Sequence, residues 1–107
     1  MTILHIEHPI RDFDTWKAAF ERDPIGRERS GVRGYRVLRP IDDPNYVMID
    51  LEFDDSSAAE AVLAALREVW RSPAAAPALA GSPQTRIVEV VESKEYYGLV
   101  VVLALLL

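Results

Sequence analysis

A chain of 107 residues has room for one domain and one core. Its 12 Lys and Arg against 17 Asp and Glu give a net charge of -5, with no basic block to follow a phosphate backbone, so nucleic acid and anionic membrane surfaces are poor partners. The absence of cysteine excludes disulfides, thiolate metal sites and thiol nucleophiles.

The first residues, MTILHIEHPIRDFD, carry neither a basic leader nor an apolar run of signal-peptide length, which makes the cytoplasm the expected location. Thr2 to His8 alternate as a strand does, with Leu4, Ile6 and His8 on one face and Ile3, His5 and Glu7 on the other. Pro9 closes that strand by withdrawing a ladder donor. Asp12 then caps a helix running to about Arg22, whose Phe13, Trp16 and Phe20 make one apolar stripe. Asp23, Pro24, Ile25 and Gly26 break it, and GRERSG from Gly26 to Gly31 reads as a solvated loop.

Gly31 to Phe53 reads as a hairpin. In its first strand Arg33, Tyr35, Val37 and Arg39 share one face, and Val32, Gly34, Arg36 and Leu38 the other; Pro40 to Asn45 form the turn. In the returning strand Val47, Ile49, Leu51 and Phe53 make an unbroken apolar face, with Tyr46, Met48, Asp50 and Glu52 opposite. A second helix starts at a capping box of Ser57 and Glu60 and carries Ala58, Val62, Ala65, Leu66 and Val69 on its inner stripe, widened by Leu63 and Trp70. The Ala- and Pro-rich stretch Ser72 to Pro83 predicts an extended or mobile loop, and Gln84 to about Glu92 a last strand. After residue 95 comes an apolar tail, whose run from Leu99 to Leu107 is shorter than the roughly 17 to 25 residues of a membrane span. It reads as an extra strand, a peripheral membrane contact or a non-native end.

The order βαββαβ predicts an α+β ferredoxin-like domain over residues 1–95: a four-stranded antiparallel sheet, first and third strands central, with both helices on one face. The other face, with Ile3, His5, Glu7, Arg33 or Arg36, Tyr35, Met48 and Asp50, is too apolar to leave wet and too polar for a dry core. A second copy of the chain is the economical cover, giving a homodimer.

The segment from ILHIEHPIRDFDTWKAAF through DDPNYVMIDLEF, with AAEAVLAALREVW and RIVEVVESKEY, resembles the dimeric α/β-barrel superfamily of ferredoxin-like domains over roughly residues 2–96. Within that superfamily it is similar to small bacterial proteins sometimes labelled cyclase. The resemblance implies a relation to cofactor-independent antibiotic-biosynthesis monooxygenases, polyketide cyclases, muconolactone isomerases and haem-degrading enzymes. It implies no cofactor and an aromatic or polyketide-like substrate, but transfers no catalytic pattern residue by residue. The rival reading is a non-catalytic dimeric module that binds a small ligand.

Three residues are candidates for proton transfer: His5, His8 and Asp50. His5 shares a face with Glu7 and, across strands, with Asp50, an arrangement that orients an imidazole or, as a purely structural cluster, sets dimer register. His8, at the strand end, faces a helix-side cleft as an acid or base, or only caps a surface. Trp16, Phe20, Tyr35, Tyr46 and Trp70 are candidates to line a cavity for a flat ligand, with core packing as the alternative for the first two. Arg36 and Arg86 are candidates to pair with an enolate or carboxylate, or to form surface ion pairs. No metal site is expected, because His5 and His8 point to opposite faces and zinc-ligand spacings are absent.

Overall fold

The computed structural model describes residues 1–97. Its strands are β1 (Thr2–Pro9), β2 (Gly34–Leu38), β3 (Tyr46–Phe53) and β4 (Gln84–Glu89); α1 (Phe13–Glu21) follows β1, and α2 (Ser56–Arg71) follows β3. All strand pairs are antiparallel and the order across the sheet is β2-β3-β1-β4, with the first and third strands central as their sequence order predicts. This is the expected ferredoxin-like α+β architecture.

Alternation decides which face is covered. Leu4, Ile6 and His8 of β1 and Val47, Ile49, Leu51 and Phe53 of β3 are buried under the helices. Burying a large aliphatic or aromatic side chain contributes about 1.5–3 kcal/mol, and Phe53, Leu4 and Val47 are the largest side chains fully enclosed. α1 starts where Asp12 accepts from the Thr15 amide at 2.8 Å, and Trp16 is the residue it buries.

Several expectations are corrected. The cap of α2 is Asp55, which accepts from the Ala58 amide at 2.9 Å, two residues ahead of the Ser57 and Glu60 box. Its inner stripe holds at Val62 and Leu63, which are buried, and at Ala58, Leu66 and Trp70, which pack against the core, but Ala59 is buried and Ala65 exposed. Asp54, just before the cap, accepts from Arg33 through Nε at 3.0 Å and Nη2 at 2.8 Å. β2 begins only at Gly34, because Gly31 takes a positive φ of 99° that turns the chain. Tyr35 lies opposite Leu51, and so belongs to the helix-covered side and not to the open face. β4 ends at Glu89, short of Glu92, with one further bond from the Val90 amide to the Met1 carbonyl at 3.0 Å.

The largest departure is Ser72 to Pro83. Pro73–Ala78 forms a 3-10 helix, with the Ala75 amide bonded to the Ser72 carbonyl and the Leu79 amide to that of Ala76. Prolines at its first and fifth positions lack N–H donors, but the tight i→i+3 pattern needs few of them, and Ala78 packs into the core. The apolar run Leu99 to Leu107 lies outside the described residues. Among the described residues no helix is long and apolar enough to cross a membrane.

Candidate functional site

The sheet and its helices do not close completely. Between them lies a cavity of about 480 Å³, floored by Ile6, Ile49 and Leu51 and walled by α1, α2 and the 3-10 helix. That volume falls in the range of small-molecule sites. Three of the predicted aromatic residues, Trp16, Phe20 and Trp70, line it, and so does His8. Since the chain has only two tryptophans, both of them face this space.

The aromatic wall is ordered by spacing on α1. Trp16 and Phe20, one turn apart, stack at 5.0 Å between centroids, and the His8 ring stands 6.5 Å from Trp16, tilted by 59°. His8 is only 2% exposed, and its Nδ1 lies 2.9 Å from the Pro9 carbonyl. A carbonyl only accepts, so Nδ1 carries the proton and Nε2 is left with its lone pair. Burial holds the His8 pKa below 6.5, the Pro9 bond opposing it weakly, so the ring is neutral at physiological pH. No buried side-chain nitrogen or oxygen lacks a partner among the described residues, so the unbonded Nε2 is not sealed off; it keeps access to space.

His5 is in the opposite situation. Its Nδ1 lies 2.7 Å from Asp50 Oδ1 and its Nε2 2.7 Å from Glu7 Oε2. Two carboxylates on one ring require two N–H donors, so His5 is an imidazolium, and the bonds to Glu7 first and Asp50 second raise its pKa above 6.5. Tyr46 donates to Glu7 at 2.7 Å, and Arg36 reaches Asp50 at 3.5 Å. The register explains the cluster: Asp50 pairs with both His5 and Arg36, and Arg86 of β4 pairs with His5, so all four strands contribute to one polar row. Glu7 is held below its usual carboxylate value by His5 first and Tyr46 second.

The predicted residues are thus divided between two faces. His8, Trp16, Phe20 and Trp70 come together in the cavity. His5, Asp50 and Arg86 line a second pocket, of about 470 Å³ and more polar, on the open face, with Arg36 and Tyr46 joined to it by hydrogen bonds. Tyr35 belongs with neither set: it meets Phe20 edge-on at 5.1 Å, behind the cavity wall. Among the described residues no group of three or more acidic, His or Cys side chains is arranged to hold a metal ion.

Arg27, read from the sequence as part of a solvated loop, is the residue that sequence reasoning missed. Its guanidinium lies 3.9 Å from the centroid of Phe20, at the edge of the cavity. The nearest local signal was Asp23, four residues before it, whose Oδ1 accepts from the Arg27 amide at 2.8 Å and so folds the loop back on α1.

Neither a family model nor a curated protein matches this chain. Solved structures do. SnoaB, a cofactor-independent oxygenase from Streptomyces nogalater, superposes with a TM-score of 0.67 at 14% identity, over 86% of this chain and 94% of its own. A Streptomyces coelicolor monooxygenase in complex with nanaomycin D gives 0.58 at 16% identity, over 90% of this chain and 92% of its own. A dimeric ferredoxin-like protein from an uncultured marine organism gives 0.64 at 12% identity, over 87% of this chain and 97% of its own. At these identities the likeness speaks to the fold: the chain is built on the ferredoxin-like α+β fold of antibiotic-biosynthesis-monooxygenase-type proteins.

Proposed function

We propose that the protein is a cofactor-independent oxygenase of small aromatic or polyketide-like molecules, and that the cavity between sheet and helices is its active site. The observation that carries this reading is the neutral His8, with an unbonded Nε2, in an apolar cavity beside Trp16 and Phe20. A base in such a place serves an electron-rich phenol or enol. Nε2 takes the hydroxyl proton, and the resulting anion delivers its electrons to dioxygen at a ring carbon that still bears hydrogen. His8 returns its proton to the peroxide anion and then removes the hydrogen of the same carbon as a proton; the C–H electrons form the carbonyl as the O–O bond breaks, and the departing hydroxide takes up that proton and leaves as water. One oxygen atom enters the product and the other leaves as water. The apolar walls keep bulk water from the anion.

His5, Asp50, Glu7, Arg36 and Tyr46 take a different part in this reading. The open face they occupy is the seat of a second copy of the chain, in keeping with the dimeric ferredoxin-like neighbour. Two antiparallel faces with alternating charges fix how the copies sit.

Oxygen uptake with a polycyclic hydroquinone or anthrone tests the assignment. His8→Gln lowers turnover by about 100-fold or more, the usual contribution of a general base, while His5→Gln leaves turnover per folded dimer within about twofold. Equal rates for His8→Gln and the unaltered protein would end the His8 mechanism.

A further inference from the structure

The cavity is apolar along its floor and walls, yet one end of its aromatic row is a cation. The His8 ring lies 6.5 Å from Trp16, Trp16 stacks on Phe20 at 5.0 Å, and Arg27 covers Phe20 at 3.9 Å, so the imidazole and the guanidinium are linked through two aromatic rings. Arg27 is well shielded for an arginine, with a side-chain exposure of 17%. Its position is fixed from three sides: Nη1 donates to the Phe20 carbonyl at 2.9 Å, the guanidinium plane covers Phe20, and Tyr35 lies 5.2 Å away. Asp23 and Gly26, both at positive φ, and the bond from the Arg27 amide to Asp23 make the turn that brings it there.

This cation is incompletely neutralised. Asp23 Oδ1 is 3.6 Å from Nη1, beyond direct hydrogen-bond reach, and that oxygen is already engaged by the Arg27 amide. The other charged residues at the cavity are Arg22 and Glu68, and Glu68 is paired with Arg71. Although the chain as a whole carries -5, the charged residues that line this cavity are two arginines and one glutamate, with Asp23 ion-paired to Arg27 at 3.6 Å outside the lining. Nε and Nη2 of Arg27 have no hydrogen-bond partner among the described residues, which leaves planar donors of the geometry that suits a carboxylate or a phenolate.

We infer that the ligand is a planar aromatic acid, held with its anionic group against Arg27 and its ring against Phe20 and Trp16, and that Arg27 determines specificity for that anion. The inference rests on the cavity being the ligand site, as proposed above. It narrows the substrate class from flat aromatic molecules to those carrying a carboxylate or an acidic phenol in addition to the group that His8 deprotonates.

Two matched ligands test it: anthraquinone-2-carboxylate and its neutral carboxamide, titrated into the full chain with quenching of Trp16 and Trp70 fluorescence as readout. The unaltered protein binds the carboxylate about tenfold or more tighter than the amide, as expected for a charge-assisted contact. Arg27→Gln abolishes that preference while amide binding is retained, Arg27→Lys keeps part of it, and Arg22→Gln keeps most of it. Equal affinities in the unaltered protein overturn the role of Arg27 and leave the cavity reading standing. A preference that persists in Arg27→Gln, or that disappears in Arg22→Gln, also overturns it. If neither ligand binds, the cavity reading falls and this inference falls with it.

Discussion

On β1, His8 faces the helix-side cavity and His5, three residues earlier, faces outward on the open side of the sheet. Burial pushes the His8 pKa down, and two carboxylates push the His5 pKa up. The same residue type on the same strand thus becomes a neutral ring with a free nitrogen on one side and a fully bonded cation on the other. Parity along a strand selects the environment, and the environment selects the chemistry. A histidine clasped by two carboxylates invites a catalytic reading, but its nitrogens are already committed. The one with fewer partners is the one equipped to accept a proton.

The difference is open to attack from both sides. The largest effect is expected from Trp16→Ala, which removes the wall beside His8. Truncating a buried tryptophan costs about 3–5 kcal/mol. Water admitted to the cavity also relieves the desolvation of His8, so its pKa climbs back toward 6.5, while His5 keeps its raised value. Urea denaturation and histidine titration of the variant measure both parts. An unchanged His8 pKa would mean that Trp16 does not shield it.

A smaller effect is expected on the open face. Asp50→Asn takes one of the two carboxylates from His5, and for a partly exposed pair the cost is about 1 kcal/mol or less. Its signature is in the pH profile. Because the folded pKa of His5 is raised, its contribution is fully present below 6.5 and is lost as pH rises through the folded value. His8 acts in the reverse sense: its folded pKa is lowered, so stability is highest above 6.5 and declines as pH falls toward the folded value. Asp50→Asn should therefore shrink the alkaline loss and leave the acid-side decline unchanged, as read from urea midpoints between about pH 5 and 9. A change in the acid-side decline instead would show that the two faces are not independent.

How much of this was legible in the sequence follows from the range of the interactions. The strand faces of β1 and β3 were readable because alternation is local, and His8 fell beside Leu4 and Ile6 by counting. The five-residue row from Arg36 to Tyr46 was partly readable, since Asp50 follows from the register once the strand order is known. Tyr35 shares its face with Val37 as alternation predicts, but that this face lies under the helices follows only from the pairing of Tyr35 with Leu51 and Val37 with Ile49, which no local pattern encodes. The Ala- and Pro-rich segment reads as an extended or mobile loop because proline spoils an α-helix, whereas a 3-10 turn tolerates it and sets the small side chains of Ala74, Ala75 and Ala78 along the cavity wall. Arg27 was out of reach for a stronger reason. Its position depends on two positive-φ residues and on the Phe20 ring seven positions away, and no periodicity encodes that.

The central claim is that the cavity holding the neutral His8, and not the polar row around His5, is where a ligand meets the chemistry. Nitrogen-15 spectra of the two imidazoles, recorded across pH with and without anthraquinone-2-carboxylate, test it most directly. The account predicts that His8 titrates below 6.5 and His5 above it, that His8 is protonated on Nδ1, and that only the His8 resonances move when ligand is added. Ligand-induced shifts confined to His5, or a His8 that is charged at neutral pH, would contradict it.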